Sequence, residues 1–251
     1  MADSAPESQR LWIPPAFAES DGLVGVGGSL DPATLLRAYA EGVFPWFNEG
    51  DPVLWWSPDP RAIIELDGLH ISRSLTRTLR KQRFRITRNR AFTAVMRGCA
   101  ENRPEGTWIT PTMIDCYSQL HHLGHAHSVE VWLRSNAAET DRSAEPPGDG
   151  WLLAGGIYGV AVGAMFSGES MFHRVTDASK VALVALVEHL RNRGFELFDV
   201  QMRTEHTARM GAIEIPRAIY LHRLQEAIRK QSVTFEPRID LRNQSNHDFH
   251  E

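Results

Sequence analysis

Asp199 and Gln201 stand two residues apart in Phe195 to Gln201, a segment whose apolar pattern predicts a strand. Side chains at i and i+2 of a strand share a face, so this spacing sets a carboxylate beside an amide. Gly168-Glu169-Ser170-Met171-Phe172 supplies a second carboxylate to the same candidate constellation. Polar groups at the end of an apolar strand need partners or a function. A carboxylate can take a proton from an ammonium or hold one by charge, and an amide can orient a carbonyl or donate to an oxyanion. A purely structural hydrogen-bond network accounts for the spacing equally well.

Other candidate chemistries are weaker. His121, His122, His125 and His127 invite a metal reading, but Gly124 is expected to end the helix between them, and no carboxylate or thiolate sits at ligand spacing. Polar surface or capping roles are expected there, and no metal. Cys99 and Cys116 form no CxxC pair, which argues against a zinc ribbon or a disulfide framework. Gly22 to Gly28 is glycine-rich but lacks GxGxxG order and a following GK[ST], so nucleotide binding has little support. Gly163 and Gly168 lie outside any [QR]xxGx[GA] pattern, which argues against an ordinary acyl-CoA acetyltransferase loop. No cofactor is expected.

Charge is unevenly spread. The chain has 251 residues and a formal net charge of −4. From Gly68 to Ala100 stand nine Lys/Arg residues and no Asp or Glu, which leaves 18 basic against 31 acidic residues elsewhere. A −4 protein therefore divides into a +9 segment and a −13 remainder. Charged helix faces usually mix signs, and this one does not. A single-sign cationic surface at Arg73, Arg77, Arg80, Lys81, Arg83 and Arg85 suits phosphates.

The elements that must position these groups follow from local signals. Asp31-Pro32 reads as an N-cap with proline at N1, opening a helix over about Ala33 to Glu41 that Gly42 ends. The aromatic and proline runs at 44–47 and 55–61 read as rigid loops that pack or line a cleft. Ser72 opens a helix with Ile71, Leu75 and Leu79 on one side, and Phe84 to Ile86 reads as a short strand. Asn89 is expected to cap the next helix, and Thr110-Pro111 starts another that Gly124 closes. Val129 to Leu133 reads as a strand, and Ser135 to Gly150 as an exposed, mobile loop. The uncharged stretch Gly150 to Gly168 has Gly155, Gly159 and Gly163 at GxxxG spacing, but six glycines and no basic flank favour central sheet strands over a membrane span, with a turn or bulge at Gly155-Gly156. Ala178 to Arg193 is a long helix with a wide apolar face, ended by Gly194, and a last helix starts near Pro216. The expected fold is α+β. Residues 1–10, His247 and His250 are read as tails, and the absence of an apolar leader segment suggests a cytoplasmic protein.

These motifs occur together in a recognisable order. Gly22 to Gly28, Gly42 to Phe47 (GVFPWF), Leu54 to Arg61 (LWWSPDPR) and His70 to Ser74 (HISRS) are followed by Gly106 to Thr110 (GTWIT) and Gly124 to Trp132 (GHAHSVEVW). Gly155 to Val160 (GGIYGV), Gly168 to Phe172 (GESMF), Ala178 to Lys180 (ASK) and Ile215 to Arg217 complete the series. Over about 200 residues, from near Pro14 to near Arg217, the chain resembles the leucyl/phenylalanyl-tRNA–protein transferase family. The resemblance implies transfer of Leu, Phe or Met from Leu-tRNA, Phe-tRNA or Met-tRNA to the α-amine of proteins that begin with Arg or Lys, marking them for N-degron degradation. It implies a small N-terminal domain (residues 1–65) and a GNAT-like catalytic domain (residues 66–251) with a mixed central sheet, whose basic segment at 70–97 holds tRNA. It makes Asp199 and Gln201 the catalytic pair, with Asp199 drawing the proton, and Glu169 a neighbouring site residue. Trp46, Trp108 and Tyr117 match aromatics that flank the adenosine or the acceptor peptide. Ile157, Phe166, Met171, Leu183, Leu186 and Phe198 would form the amino-acid pocket. Thr204 stands where the family commonly has Asn at an acceptor contact, Val200 where Cys is common, and Arg209-Met210 where Ser-Leu is typical.

An already activated aminoacyl ester requires no ATP site, in keeping with the sequence. The acceptor amine must lose a proton and the oxyanion must be stabilised. Two rival readings are an acyl-CoA-dependent N-acyltransferase and a non-catalytic RNA-binding module. The chain is expected to act as a monomer away from membranes.

Overall fold

The computed structural model describes residues 11–19, 21–101, 106–135 and 146–236. The tails at 1–10 and around His247 and His250, and most of the expected 135–150 loop, lie outside the described residues. Among the described residues, two sheets, seven α-helices and a short 3-10 helix (Pro15–Phe17) make a mixed α+β architecture. The small sheet has the order β1-β3-β2, from β1 (Leu23–Val26), β2 (Phe44–Pro45) and β3 (Leu54–Trp56). The large sheet has the order β10-β4-β9-β8-β7-β6-β5. Its strands are β4 (Arg61–Ile63), β5 (Phe84–Arg88), β6 (Ala126–Arg134), β7 (Trp151–Val162), β8 (Met165–His173), β9 (Leu197–Gln201) and β10 (Ile213–Ile215).

Local chemistry sets the helix boundaries. Helix α1 (Pro32–Ala40) starts where the Asp31 carboxylate accepts from the Thr34 N–H at 3.0 Å. Ser72 caps α2 (Arg73–Arg80) through the Leu75 N–H, and Thr110 caps α4 (Pro111–His122) through the Met113 N–H. Helix α5 (Ala178–Arg193) ends at Gly194, left-handed at φ +81°. A short α6 (Glu205–Arg209) and α7 (Arg217–Ile228) complete the chain.

Helix α3 (Phe92–Ala100) departs from the sequence reading. Asn89 is not its cap. Asn89 is left-handed at φ +57°, and its side-chain oxygen accepts from the Ser128 N–H at 3.0 Å, tying it to β6. Glu130 on that strand accepts from the Ala91 N–H instead, a contact 39 residues away in sequence.

Of the turn or bulge expected at Gly155-Gly156, the structure has the bulge. β7 continues through the pair with a register shift against β6, where Val131 pairs with Gly155 and Trp132 with Leu153, and the reversal to β8 comes at Gly163, left-handed at φ +56°. A Cβ on Gly155 would lie 2.8 Å from Ala178 Cβ, and one on Gly156 2.9 Å from Val95 Cγ2. These glycines let α5 and α3 approach the sheet closely. The irregularity between β7 and β8 falls on β8, where Tyr158 pairs with Ser170 and Gly159 with Gly168, so Glu169 is the extra residue.

Apolar packing forms two bodies. One lies between the large sheet and α5, with α2 at its margin. The other gathers α1, α3, α4 and α7 and continues without a break into the small sheet through Trp12 and Trp55. No described helix is long and apolar enough to cross a membrane.

Neighbouring strands of the large sheet are antiparallel except β8 and β9, which are parallel and joined through α5. Their pairing runs from Met165↔Leu197 to Ser167↔Asp199 and stops. Beyond Ser167 the two strands part, and the space between them opens as a cavity.

Candidate active site

The cavity has a volume of about 620 Å³. One wall comes from the divergent strand ends: Gly168 to Met171 on β8, and Val200, Gln201 and Met202 at the end of β9. Phe44, Trp46 and Asn48 close it from the small-sheet side, with Gly106 and Trp108 from the approach to α4. Ile64, Ile157, Leu183 and Phe198 give an apolar end. Trp46 is 41% exposed and its ring centroid lies 6.1 Å from that of Trp56, so a flat, accessible aromatic surface borders the opening.

At the polar end the Gln201 side-chain NH₂ donates to Glu169 Oε1 at 2.8 Å and to Ser167 Oγ at 3.3 Å. Ser167 Oγ donates to the same Glu169 oxygen at 3.0 Å. Behind Glu169 two buried phenols are paired, Tyr39 and Tyr117, with oxygens 2.5 Å apart, and Tyr117 OH reaches Glu169 Oε2 at 3.5 Å. Burial pushes the Glu169 carboxyl up to about 7, against hydrogen bonds from Tyr39 and Ser167 that favour the anion. Burial likewise holds the Tyr39 and Tyr117 phenols above their ordinary range. The arrangement is a carboxyl that changes charge near neutral pH, with an amide fixed against it.

Asp199 occupies a different place. It is fully buried and does not line the cavity. Arg61 donates from Nε to Oδ1 at 2.9 Å and from Nη2 to Oδ2 at 2.6 Å. Tyr220 OH donates to Oδ2 at 2.8 Å, and the Gln201 backbone N–H donates to Oδ1 at 2.8 Å. Alternation along β9 sends Phe198 and Val200 to the cavity and Asp199 away from it. It would send Gln201 away too, but Gln201 is left-handed at φ +62°, next to a register shift against β4 between Ala62 and Ile63. The irregular strand end brings Gln201 to the cavity, while Asp199 is buried and does not reach its wall.

Of the other expected site residues, the structure brings Trp46, Trp108, Ile157, Met171, Leu183, Phe198 and Thr204 to the cavity wall. Tyr117, Phe166 and Leu186 do not line it. Tyr117 is covered by Glu169, Phe166 packs behind Phe198 with ring centroids 6.1 Å apart, and Leu186 lies in the core beneath α5. Thr204 caps α6, its hydroxyl accepting from the Thr207 N–H at 3.1 Å, which gives a threonine there a structural use. Spacing alone did not reveal Arg61, Tyr39, Tyr220 or Ser167 as members of the site. Arg61 ends the LWWSPDPR block, but its partner lies 138 residues away.

Arg73, Arg77, Arg80, Lys81, Arg83 and Arg85 are all exposed on α2, β5 and the turn between them. Leu75 is buried beneath them, and Arg83 lies over the Phe84 ring at 4.5 Å. The histidines take structural roles: His121 stacks on Phe92 and His127 on Phe235, and burial lowers the His127 pKa to about 3. No cluster of metal-ligating residues occurs among the described residues.

Comparison with known proteins identifies what the chain is similar to. A family model described as "Leucyl/phenylalanyl-tRNA protein transferase" matches residues 63–225, and that of its N-terminal domain matches residues 28–59. Among relatives named leucyl/phenylalanyl-tRNA–protein transferase, that of Anaeromyxobacter sp. (strain K) is 52% identical over 222 residues, covering 87% of this chain and 88% of its own. The Edwardsiella ictaluri (strain 93-146) protein is 49% identical over 223 residues, covering 89% and 84%. That of Magnetococcus marinus is 52% identical over 218 residues, covering 86% and 88%. A solved structure, that of L-PGS from Bacillus licheniformis, aligns with 71% of this chain and 55% of its own at 12% identity, with a TM-score of 0.36.

Proposed function

The chain belongs to the leucyl/phenylalanyl-tRNA–protein transferase family, whose reaction moves an aminoacyl group from tRNA to a protein amino terminus, and on that premise we propose how its residues carry the reaction. The observation that supports the assignment is the 2.8 Å contact between Gln201 and Glu169 at the polar end of an otherwise apolar cavity. The donor's Leu, Phe or Met side chain enters the apolar end, against Ile157, Met171, Leu183 and Phe198. Its terminal adenosine lies along Trp46 and Trp108. Exposed cations on α2 and β5 hold the body of the tRNA by its phosphates.

The acceptor α-amine attacks the ester carbonyl carbon. A carbon–nitrogen bond forms, and the bond from that carbon to the ribose oxygen breaks. The amine gives up a proton and the departing ribose oxygen gains one. Glu169 takes the first proton and returns it to the leaving oxygen, a task suited to a carboxyl poised near pH 7. Gln201 spends its NH₂ on Glu169 and Ser167, which leaves its side-chain carbonyl to accept from the incoming amine. Asp199 has both oxygens taken by Arg61, Tyr220 and the Gln201 backbone, so it fixes the irregular strand end rather than receiving the proton. Holding ester and amine together supplies much of the acceleration.

Acceptors beginning with Arg or Lys suit the acidic remainder of the chain, and their modification marks them for N-degron degradation in the cytoplasm. A GNAT-like arrangement for the large sheet is supported by the parallel β8–β9 pair joined through α5. The break between a small N-terminal unit and the catalytic unit is placed near residue 65. Transfer of labelled Phe from Phe-tRNA to peptides beginning with Arg, Lys, Asp or Glu tests the reading. Transfer to the first two and not the last two is expected, and a folded protein that transfers to none overturns it.

A further inference from the structure

Three phenyl rings stand in a row behind the apolar end of the catalytic cavity. Phe198 lines that cavity, and Phe166 on β8 pairs with it in register across the parallel strands, ring centroids 6.1 Å apart. Phe235 follows, stacked on Phe166 with centroids 5.6 Å apart. All three are buried. On its far side Phe235 lines another cavity, of about 460 Å³, together with His121, His125 and His127. The row therefore runs through the wall between two cavities, and Phe235 is its last member.

Phe235 is held from several directions. Its ring stacks on His127 at 4.2 Å and meets His189 at 4.4 Å. Its carbonyl accepts from His189 Nε2 at 2.8 Å. Arg193, in the last turn of α5, donates to the Thr234 and Glu236 carbonyls at 2.9 and 3.3 Å, and Asn89 donates to Glu236 Oε1 at 2.9 Å. The segment after α7 is thus fastened to the end of α5 and to the residue that follows β5. Phe166 has little freedom on its other sides. Its ring lies over Gly159, where a Cβ would come within 2.5 Å of it, and Phe195 meets it edge-on at 6.3 Å. Close-packed interiors pass displacements on, because side chains have no free volume to absorb them. A ring fixed at one end of such a row fixes the ring at the other end.

Resting on the transferase reading, we propose that Phe235 is a positioning residue for donor choice: through Phe166 it holds Phe198 forward and so sets the depth of the apolar end that receives the donor's side chain. Phe235 does not line the catalytic cavity itself, and it lies beyond the residues 63–225 that the family model matches. Truncating it would open space behind Phe166, next to the 460 Å³ cavity. Space left behind a ring is only partly refilled by its neighbours. A larger donor side chain would then push Phe198 and Phe166 back into it, at a cost the intact row does not allow.

One tRNA acylated in turn with Leu, Phe or Trp tests the row, since only the side chain in the pocket then differs. An Arg-starting peptide serves as acceptor, and kcat/KM is read for each donor. Phe235→Ala should raise Trp relative to Phe about tenfold or more, the discrimination that a small change of volume in an apolar pocket carries. Phe235→Leu removes less volume and should move the ratio the same way by about threefold, so it decides the matter if the alanine variant does not fold. Continued transfer of Leu shows that the rest of the site is intact. Leu, Phe and Trp transfer that fall together, or an unchanged ratio of Trp to Phe, overturn the proposal and leave Phe235 a core residue only. Wild-type protein that transfers none of the three overturns the transferase reading, and this inference with it.

Discussion

With its carboxyl pushed up to about 7, chiefly by burial, Glu169 gives the site a defined pH response. As the proposed proton acceptor it must be ionised, so transfer should rise with pH through about 7 and level off above. Glu169→Gln should lose that rise and cut kcat/KM by about 100-fold, the usual worth of a positioned base. Stability runs the other way. A folded pKa above the unfolded value means ionisation is disfavoured in the native state. That cost is absent below the unfolded pKa, grows as pH rises toward 7 and is complete above it. Glu169→Gln should therefore be at least as stable as wild type to urea at pH 8, and a lower midpoint there would contradict the burial argument. Arg61 gives a contrasting case. Arg61→Leu strands the Asp199 carboxylate in the core and should cost about 3–5 kcal/mol in urea titrations, with activity lost through the strand end that carries Gln201.

Elements that announce themselves locally were legible in the sequence, and those defined by distant partners were not. Ser72, Thr110 and Gly194 mark their helix ends through contacts a few residues away, so each boundary could be read. Asn89 has the residue type of a cap, but its side chain is claimed by Ser128, 39 residues on, while Glu130 serves α3 in its place. Gly155 and Gly156 read as a turn or a bulge, and what decides for a continuous, bulged strand is the helices that press on them from elsewhere in the chain. At Gly159 the same closeness is testable: a Cβ would lie 2.1 Å from the Ser167 carbonyl oxygen and 2.5 Å from the Phe166 ring. Gly159→Ala should lower stability by about 1–3 kcal/mol through overpacking and should lower the thermal midpoint. The basic element predicts the reverse pattern. Arg77, Arg80 and Lys81 are exposed, so replacing all three with Glu should spare the fold, weaken tRNA binding and flatten its dependence on salt. Binding that is unchanged across a salt series would remove α2 from the tRNA surface.

At the scale of the whole molecule, much of the cavity wall was legible because its residues lie in ordered motifs, yet Tyr117, Phe166 and Leu186 fell one layer behind it. Sequence order does not distinguish a side chain that faces a cavity from one that supports it. The two sheets are also less independent than a small unit followed by a large one implies. One apolar core runs beneath both, and Arg217 at the start of α7 donates to the carbonyls of Ala18 and Ser57 at 2.5 and 2.7 Å. Arg217→Ala should leave those buried acceptors unmet and cost about 2–4 kcal/mol, read as one cooperative transition at a lower temperature. Two separate transitions would show that the sheets melt independently.

The parting of β8 and β9 has a consequence for how the protein can change over generations. Of the groups assigned to bond making, Gln201 ends β9 and Glu169 stands in β8 just past the point where the two strands part, whereas Leu183 and Ile157 at the opposite end of the cavity come from a helix and another strand. On the proposed assignment, appetite for one donor over another can thus drift by swapping apolar residues on α5 and β7 without touching Glu169 or Gln201. A lineage with this architecture would then be free to explore new cargo while its reaction machinery stays under separate selection.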